Sequence, residues 1–134
     1  MARRRIPVPA GVALTNKAFE MFCRQNSLSE KIVPMLENID YSRPDSLYRI
    51  AGEIAGLIQT CRIPAEIWRQ ITAEVADLRC PQIIVRSSAI GEDSAEASFA
   101  GQLDSITASN TAPDLKTALL QCWTSYWSAR SLFY

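Results

Sequence analysis

The sequence predicts an α+β domain, with helices first and a small, mainly antiparallel sheet placed late in the chain. Three observations carry that prediction. From position 16 to 78 apolar residues recur at the three- and four-residue spacing of amphipathic helices. At Ile83-Ile84-Val85, just past the break at Cys80-Pro81, the period changes abruptly to that of a strand. A second strand-like stretch and a fresh helix start then follow, and this order favours helices segregated against a sheet.

The elements follow in chain order. Residues 6–11 alternate apolar side chains with Pro7 and Pro9, so they predict an extended segment able to pair only as an edge. Thr15 caps a helix over residues 16–25, with Ala18, Phe19, Phe22 and Cys23 on its inner face. A second short helix follows Ser29 and carries Ile32, Val33 and Leu36, with Pro34 placed in its first turns, where a missing N–H is tolerated. Ser42-Arg43-Pro44-Asp45 combines a hydroxyl cap, an early proline and an acid three residues on. The helix it opens presents Leu47, Ile50, Ala51, Ile54, Leu57 and Ile58 on one face. Gly52 and Gly56, four apart in that helix, suggest close packing against a neighbour.

Pro64 starts a further helix with Ile67, Trp68, Ile71, Val75 and Leu78 inside. Strands are predicted at 82–87 and about 101–107, joined by a loop from 89; Leu103 and Ile106 do not alternate strictly, which leaves their register open. Thr111-Ala112-Pro113-Asp114 starts a last helix that buries Leu115, Leu119, Cys122, Trp123 and Tyr126 or Trp127 and runs to Arg130 or beyond. Two strands alone are marginal, so a third is expected, from residues 6–12 or from other sequence.

The totals bound the function. The chain of 134 residues has the length of a single domain, 1–134, able to bury roughly two-thirds of its unfolded surface. Its 14 basic and 14 acidic residues cancel, so no overall field draws it to nucleic acid or an anionic membrane, and any anion site is local. Arg3-Arg4-Arg5 is the one-sided exception and reads as a solvated terminus. No apolar run approaches the roughly 20 residues of a membrane span, and no signal-peptide core follows the basic start, which predicts a cytoplasmic protein. Cys23, Cys61, Cys80 and Cys122 lack metal or redox spacing and are expected as free thiols. Histidine is absent, which removes a Ser-His or Cys-His nucleophile and any phosphohistidine from this chain.

Chemistry concentrates where the first strand ends. Arg86 follows Ile83-Ile84-Val85 directly, and a guanidinium there suits either a phosphate or an ion pair with Glu92 or Asp93. Ser87, Ser88 and Ser98 are hydroxyl donors to the same ligand or turn residues bonding their own backbone. Gly101, between Ala100 and Gln102, permits a close backbone approach in which successive N–H groups hold an anion. Neither a P-loop nor a dinucleotide-binding glycine motif is present. Glu92, Asp93 and Glu96 are read as solvated acids and not as a metal site. Trp123 and Trp127, four apart, are read as core.

The run VRSSAIGEDSAEASFAGQLDSI at 85–106 resembles the hallmark of the ATP-binding domain of the phosphoenolpyruvate synthase and pyruvate phosphate dikinase family. The likeness extends more loosely from VPAGVALTNKAFEMF to LLQCWTSYWSARSLFY. It implies a partial ATP-grasp fold, of which this chain is similar to the first subdomain. It also implies that Arg86 is catalytic and contacts ATP phosphates together with Ser87, and that Ser98, Gly101 and Gln102 lie in the loop over them, with Asp104 and Ser105 just beyond. The implied cofactors are ATP and Mg2+, the metal's ligands lying outside this chain. The implied partners are a second ATP-grasp subdomain and a phosphohistidine domain, with no nucleic acid and no membrane.

The family pattern also has a glycine-rich segment with a phosphate-contacting lysine ahead of V-P-x-G, whereas here six residues, Met1 to Ile6, stand between the start and Pro7, without that lysine. The chain is therefore expected to be an incomplete phosphotransferase, inactive alone. The alternative is a stand-alone interaction or nucleotide-sensing module derived from the same domain.

Overall fold

The structure is a computed structural model that describes residues 7–88 and 105–133. Four helices come first: α1 (Asn16–Gln25), α2 (Leu28–Glu37), α3 (Pro44–Gln59) and α4 (Ala65–Asp77). Strands β1 (Gln82–Arg86) and β2 (Ser105–Ser109) follow, and then α5 (Ala112–Thr124), a 3-10 turn at Ser125–Trp127 and the single-turn α6 (Ala129–Phe133). The α+β class and the order of elements agree with the sequence. The described residues contain a two-stranded antiparallel sheet.

Two apolar clusters hold these elements together. The first gathers Phe22 of α1, Leu28 and Ile32 of α2, and Leu47, Ile50, Ile54 and Ile58 of α3. Phe22, Ile54 and Ile58 are fully enclosed, and each such side chain contributes about 1.5–3 kcal/mol of transfer free energy. The second cluster sets Ile67, Ile71 and Val75 of α4 against Leu115 and Leu119 of α5, with Ile83 and Val85 of β1 packed on it. Helix α5 joins them, because its next residue, Leu120, belongs to the first cluster. Ile63 and Trp123 touch both.

The aromatic residues confirm their core role. Phe22 and Trp123 lie with ring centroids 4.4 Å apart and Phe19 and Trp127 at 5.8 Å, geometries that favour offset or tilted packing. Trp127, and not the 54 % exposed Tyr126, is the residue turned inward.

Several expectations are corrected. Helix α2 begins at Leu28, after Ser27 at a positive φ of 51°, so Pro34 lies in its interior instead of its first turns. A proline there forfeits one ladder bond; the side chain of Asn38 donates to the Pro34 carbonyl at 3.0 Å, adding a partner at the helix end. Val33, placed inside by its spacing, is 51 % exposed. Ser42 does not cap α3; Arg43 holds that position without a side-chain bond. The Ser42 hydroxyl and N–H instead both donate to Asp40 Oδ1. Those bonds, the side-chain one first, hold the Asp40 carboxyl below its usual range.

Gly52 and Gly56 face no neighbour among the described residues, since a Cβ on either meets nothing within 4 Å. Leu78 is the half-buried C-cap of α4 and not part of its enclosed face. The edge strand expected over residues 6–12 is absent from 7–15, which have no regular secondary structure and leave Val8 83 % exposed. β2 runs past its expected end to Ser109, while residues 101–104 of that expectation lie outside the described ones, and the last helix breaks at Ser125, whose hydroxyl donates to the Cys122 carbonyl at 2.7 Å.

Two sequence features hold. Thr111 caps α5 by accepting from the Asp114 N–H at 3.4 Å. The four cysteines are free thiols.

Candidate functional site

The hairpin is built so that one face packs and the other is open. In β1, Ile83 and Val85 are half-buried against α4 and α5 while Gln82, Ile84 and Arg86 are exposed. In β2, Ile106 and Ala108 are half-buried while Ser105, Thr107 and Ser109 are exposed. The pairing runs from Gln82↔Ser109 to Arg86↔Ser105. It resolves the register that irregular alternation left open: Ile106 stands opposite Val85 on the packed face. Ile84, in the middle of an unbroken apolar run, is 64 % exposed beside Thr107.

Arg86 and Ser105 are therefore cross-strand partners on the open face, the last pair of the described ladder, with residues 87–104 between them in the chain. Directly opposed residues hold their Cβ atoms about 4.5–5.5 Å apart. A planar five-donor cation and a hydroxyl thus lie side by side at the sheet's open end. Arg86 forms no ion pair with any of the described residues. Ser87, immediately past the strand, is half-buried, and Ser88 is exposed.

The opposite end of the hairpin is tied down. The Asn110 side chain donates to the Cys80 carbonyl at 2.8 Å and the Val75 carbonyl at 3.4 Å, and its N–H donates to Pro81 at 2.9 Å. One residue after β2 thereby fastens the end of α4 and the start of β1. The turn between them takes Arg79 through a positive φ of 50°.

Ser98, Gly101, Gln102 and Asp104, expected at the site from the sequence, lie outside the described residues, as do Glu92, Asp93 and Glu96. Of the expected set the structure describes Arg86, Ser87 and Ser105, and brings Arg86 and Ser105 together.

Residues 1–134 match the family described as the pyruvate phosphate dikinase AMP/ATP-binding domain. The chain belongs to that family. It is 34 % identical over 136 residues to a probable phosphoenolpyruvate synthase of Methanothermobacter thermautotrophicus, covering 96 % of this chain and 20 % of the relative. It is 40 % identical over 105 residues to the phosphoenolpyruvate synthase of Deinococcus radiodurans, covering 76 % of this chain and 13 % of the relative. With that of Neisseria meningitidis it shares 30 % over 143 residues, all of this chain and 18 % of the relative. The chain thus spans a fifth or less of the length of these relatives.

Within this AMP/ATP-binding domain, sequence reasoning did not single out two asparagines that position backbone. Besides Asn110, Asn26 at the end of α1 pairs with both backbone groups of Arg62, accepting from its N–H at 3.1 Å and donating to its carbonyl at 2.9 Å. An asparagine just past a helix is a familiar C-cap signal, yet a partner 36 residues away is not encoded locally. Among the described residues no helix is long and apolar enough to cross a membrane, and no three metal-ligating side chains converge.

Proposed function

We propose that this chain forms one wall of the ATP site of a phosphoenolpyruvate synthase-like dikinase, as part of the first subdomain of an ATP-grasp fold. One observation carries the reading: Arg86 and Ser105 are paired on an exposed sheet face at the two ends of segment 87–104, the segment that resembles the family's ATP-covering loop. The donor set fits a polyphosphate. The Arg86 guanidinium offers paired N–H groups to phosphate oxygens, and the Ser105 hydroxyl adds a neutral donor beside it. Ser87 follows Arg86 directly in the chain, and Ser98, Gly101, Gln102 and Asp104 are the further ATP contacts of this reading.

Binding of ATP against Arg86 leaves positive charge where the transferring phosphoryl group develops negative charge, the main lever a protein has in this chemistry. Mg2+ would supply further charge neutralisation from ligands outside this chain. In the complete cytoplasmic enzyme ATP phosphorylates a histidine, which passes the phosphoryl group to pyruvate or another acceptor. This chain contains no histidine, so the transfer belongs to a further domain and the isolated chain is inactive.

The test is Arg86→Ala in a full-length phosphoenolpyruvate synthase carrying this domain, following ATP-dependent histidine phosphorylation. Loss of a phosphate-directed cation lowers the rate by roughly 10²–10³. Arg86→Lys recovers only part of it, because an ammonium cannot reproduce the planar fork. Near-normal rates for Arg86→Ala would overturn the assignment.

A further inference from the structure

A second anion-friendly feature lies on the helix side of the sheet, away from Arg86. A cavity of about 240 Å³ is lined by Arg62, Ile63, Trp68 and Lys116. Arg62 and Ile63 belong to the connection between α3 and α4, Trp68 to the first turn of α4, and Lys116 to the start of α5. Trp68 and Ile63 pack on the same cluster as Ile83 and Val85, the inward residues of β1, whereas Arg86 points from the outward face. The two places are therefore on opposite sides of the sheet.

The polar side chains of the lining residues, Arg62, Trp68 and Lys116, carry donors and no acceptor. Arg62 and Lys116 form no ion pair among the described residues, and the acids nearest them in sequence, Glu66 and Asp114, pair with neither. The Trp68 indole N–H has no hydrogen-bond acceptor among the described residues, since the bonds at this residue involve its backbone. The position of Arg62 is also fixed: Asn26 holds both of its backbone groups, and Gln25 adds a bond to its carbonyl at 3.4 Å. A held backbone reduces the ordering cost of binding.

We infer that this cavity is a binding site for a small phosphorylated metabolite, separate from the ATP wall. The phosphate lies between the Arg62 guanidinium and the Lys116 ammonium, and a flat or apolar organic part lies on Trp68 and Ile63. Guanidinium and ammonium together suit phosphate as fork and point charge. The volume is below the roughly 300–1,000 Å³ of drug-sized pockets, which selects compact ligands. The inference does not depend on the role given to Arg86.

The test uses phenyl phosphate and inorganic phosphate as probes on the 134-residue chain, read by titration calorimetry and by tryptophan fluorescence. Phenyl phosphate is expected to bind saturably in the millimolar range or tighter, and more tightly than inorganic phosphate. Arg62→Ala and Lys116→Ala each weaken it by roughly tenfold, the scale of one lost charge-assisted bond. Trp68→Phe removes the fluorescence response and keeps part of the heat. All three substituted side chains are exposed or half-buried, and circular dichroism checks that each variant folds. No saturable binding, equal affinity for the two probes, or undiminished binding in the Arg62→Ala/Lys116→Ala double variant would overturn the inference.

Discussion

Arg86 stands directly across the ladder from Ser105, and both side chains are on the exposed face of the hairpin. A carboxylate at position 105 would meet the guanidinium at cross-strand distance. Ser105→Glu is therefore expected to raise stability slightly, by about 0.2–1 kcal/mol for an opposite-charge pair. At the same time it occupies the cation proposed to receive phosphate. ATP affinity of the full-length enzyme should fall while the thermal midpoint stays level or rises. Unchanged ATP affinity together with a stabilised hairpin would separate Arg86 from ATP.

The glycines of α3 give a prediction opposite to their sequence reading. Spacing four apart suggested a close helix contact, but a Cβ at Gly52 or Gly56 enters open space. Each glycine is then only a helix-propensity cost, about 0.8–1 kcal/mol relative to alanine. Gly52→Ala and Gly56→Ala should each stabilise by up to that amount, and the double variant additively or nearly so. Denaturant melts check it; destabilisation would show that something packs there.

These glycines show where legibility ends. Long amphipathic stretches such as Leu47, Ile50, Ile54 and Ile58 were legible because one helix period determines which side chains turn inward. The Thr111 cap was legible because donor and acceptor lie three residues apart. Ser42 carried the same local pattern, yet a carboxylate two residues upstream competed for its hydroxyl, and the helix started one residue later. Pairing across the sheet was less legible, since Leu103 and Ile106 do not alternate and the register depends on contacts with α4 and α5. Of the site, the Arg86 side of the hairpin was visible in the sequence. The Arg62 cavity was not, because its lining comes from the α3–α4 connection and from the starts of α4 and α5.

Asn110 supports a prediction about how the hairpin is held. Its side chain bonds the carbonyls of Cys80 and Val75, and these come from two different elements' ends. Asn110→Ala removes both bonds and leaves the part-buried acceptors to find water. A loss of about 1–3 kcal/mol is expected. Hydrogen exchange should show faster opening of the β1 and β2 amides than of α3, whose core lies in the other cluster. Uniform acceleration throughout the chain would instead mean that the two clusters unfold as one unit.

The thiols of Cys23 and Cys61 give the pH-dependent prediction. Burial raises both; for Cys23 the neighbouring Cys61 and Glu20 add to it, and for Cys61 the Lys31 charge offsets part of it. The Cys61 thiol also donates to the Leu57 carbonyl at 3.4 Å, a bond only the protonated form can make. A group whose native pKa is raised favours folding while it stays protonated. This contribution is complete below the ordinary thiol range and is lost as pH rises through the raised native values. Stability should therefore fall on the alkaline side, and Cys23→Ser/Cys61→Ala should flatten that fall relative to the parent. Because the thiolate is the nucleophile, alkylation of both residues by iodoacetamide at mildly alkaline pH should be much slower in the folded chain than in guanidinium. Equal rates in the two states would show that the native fold does not protect them.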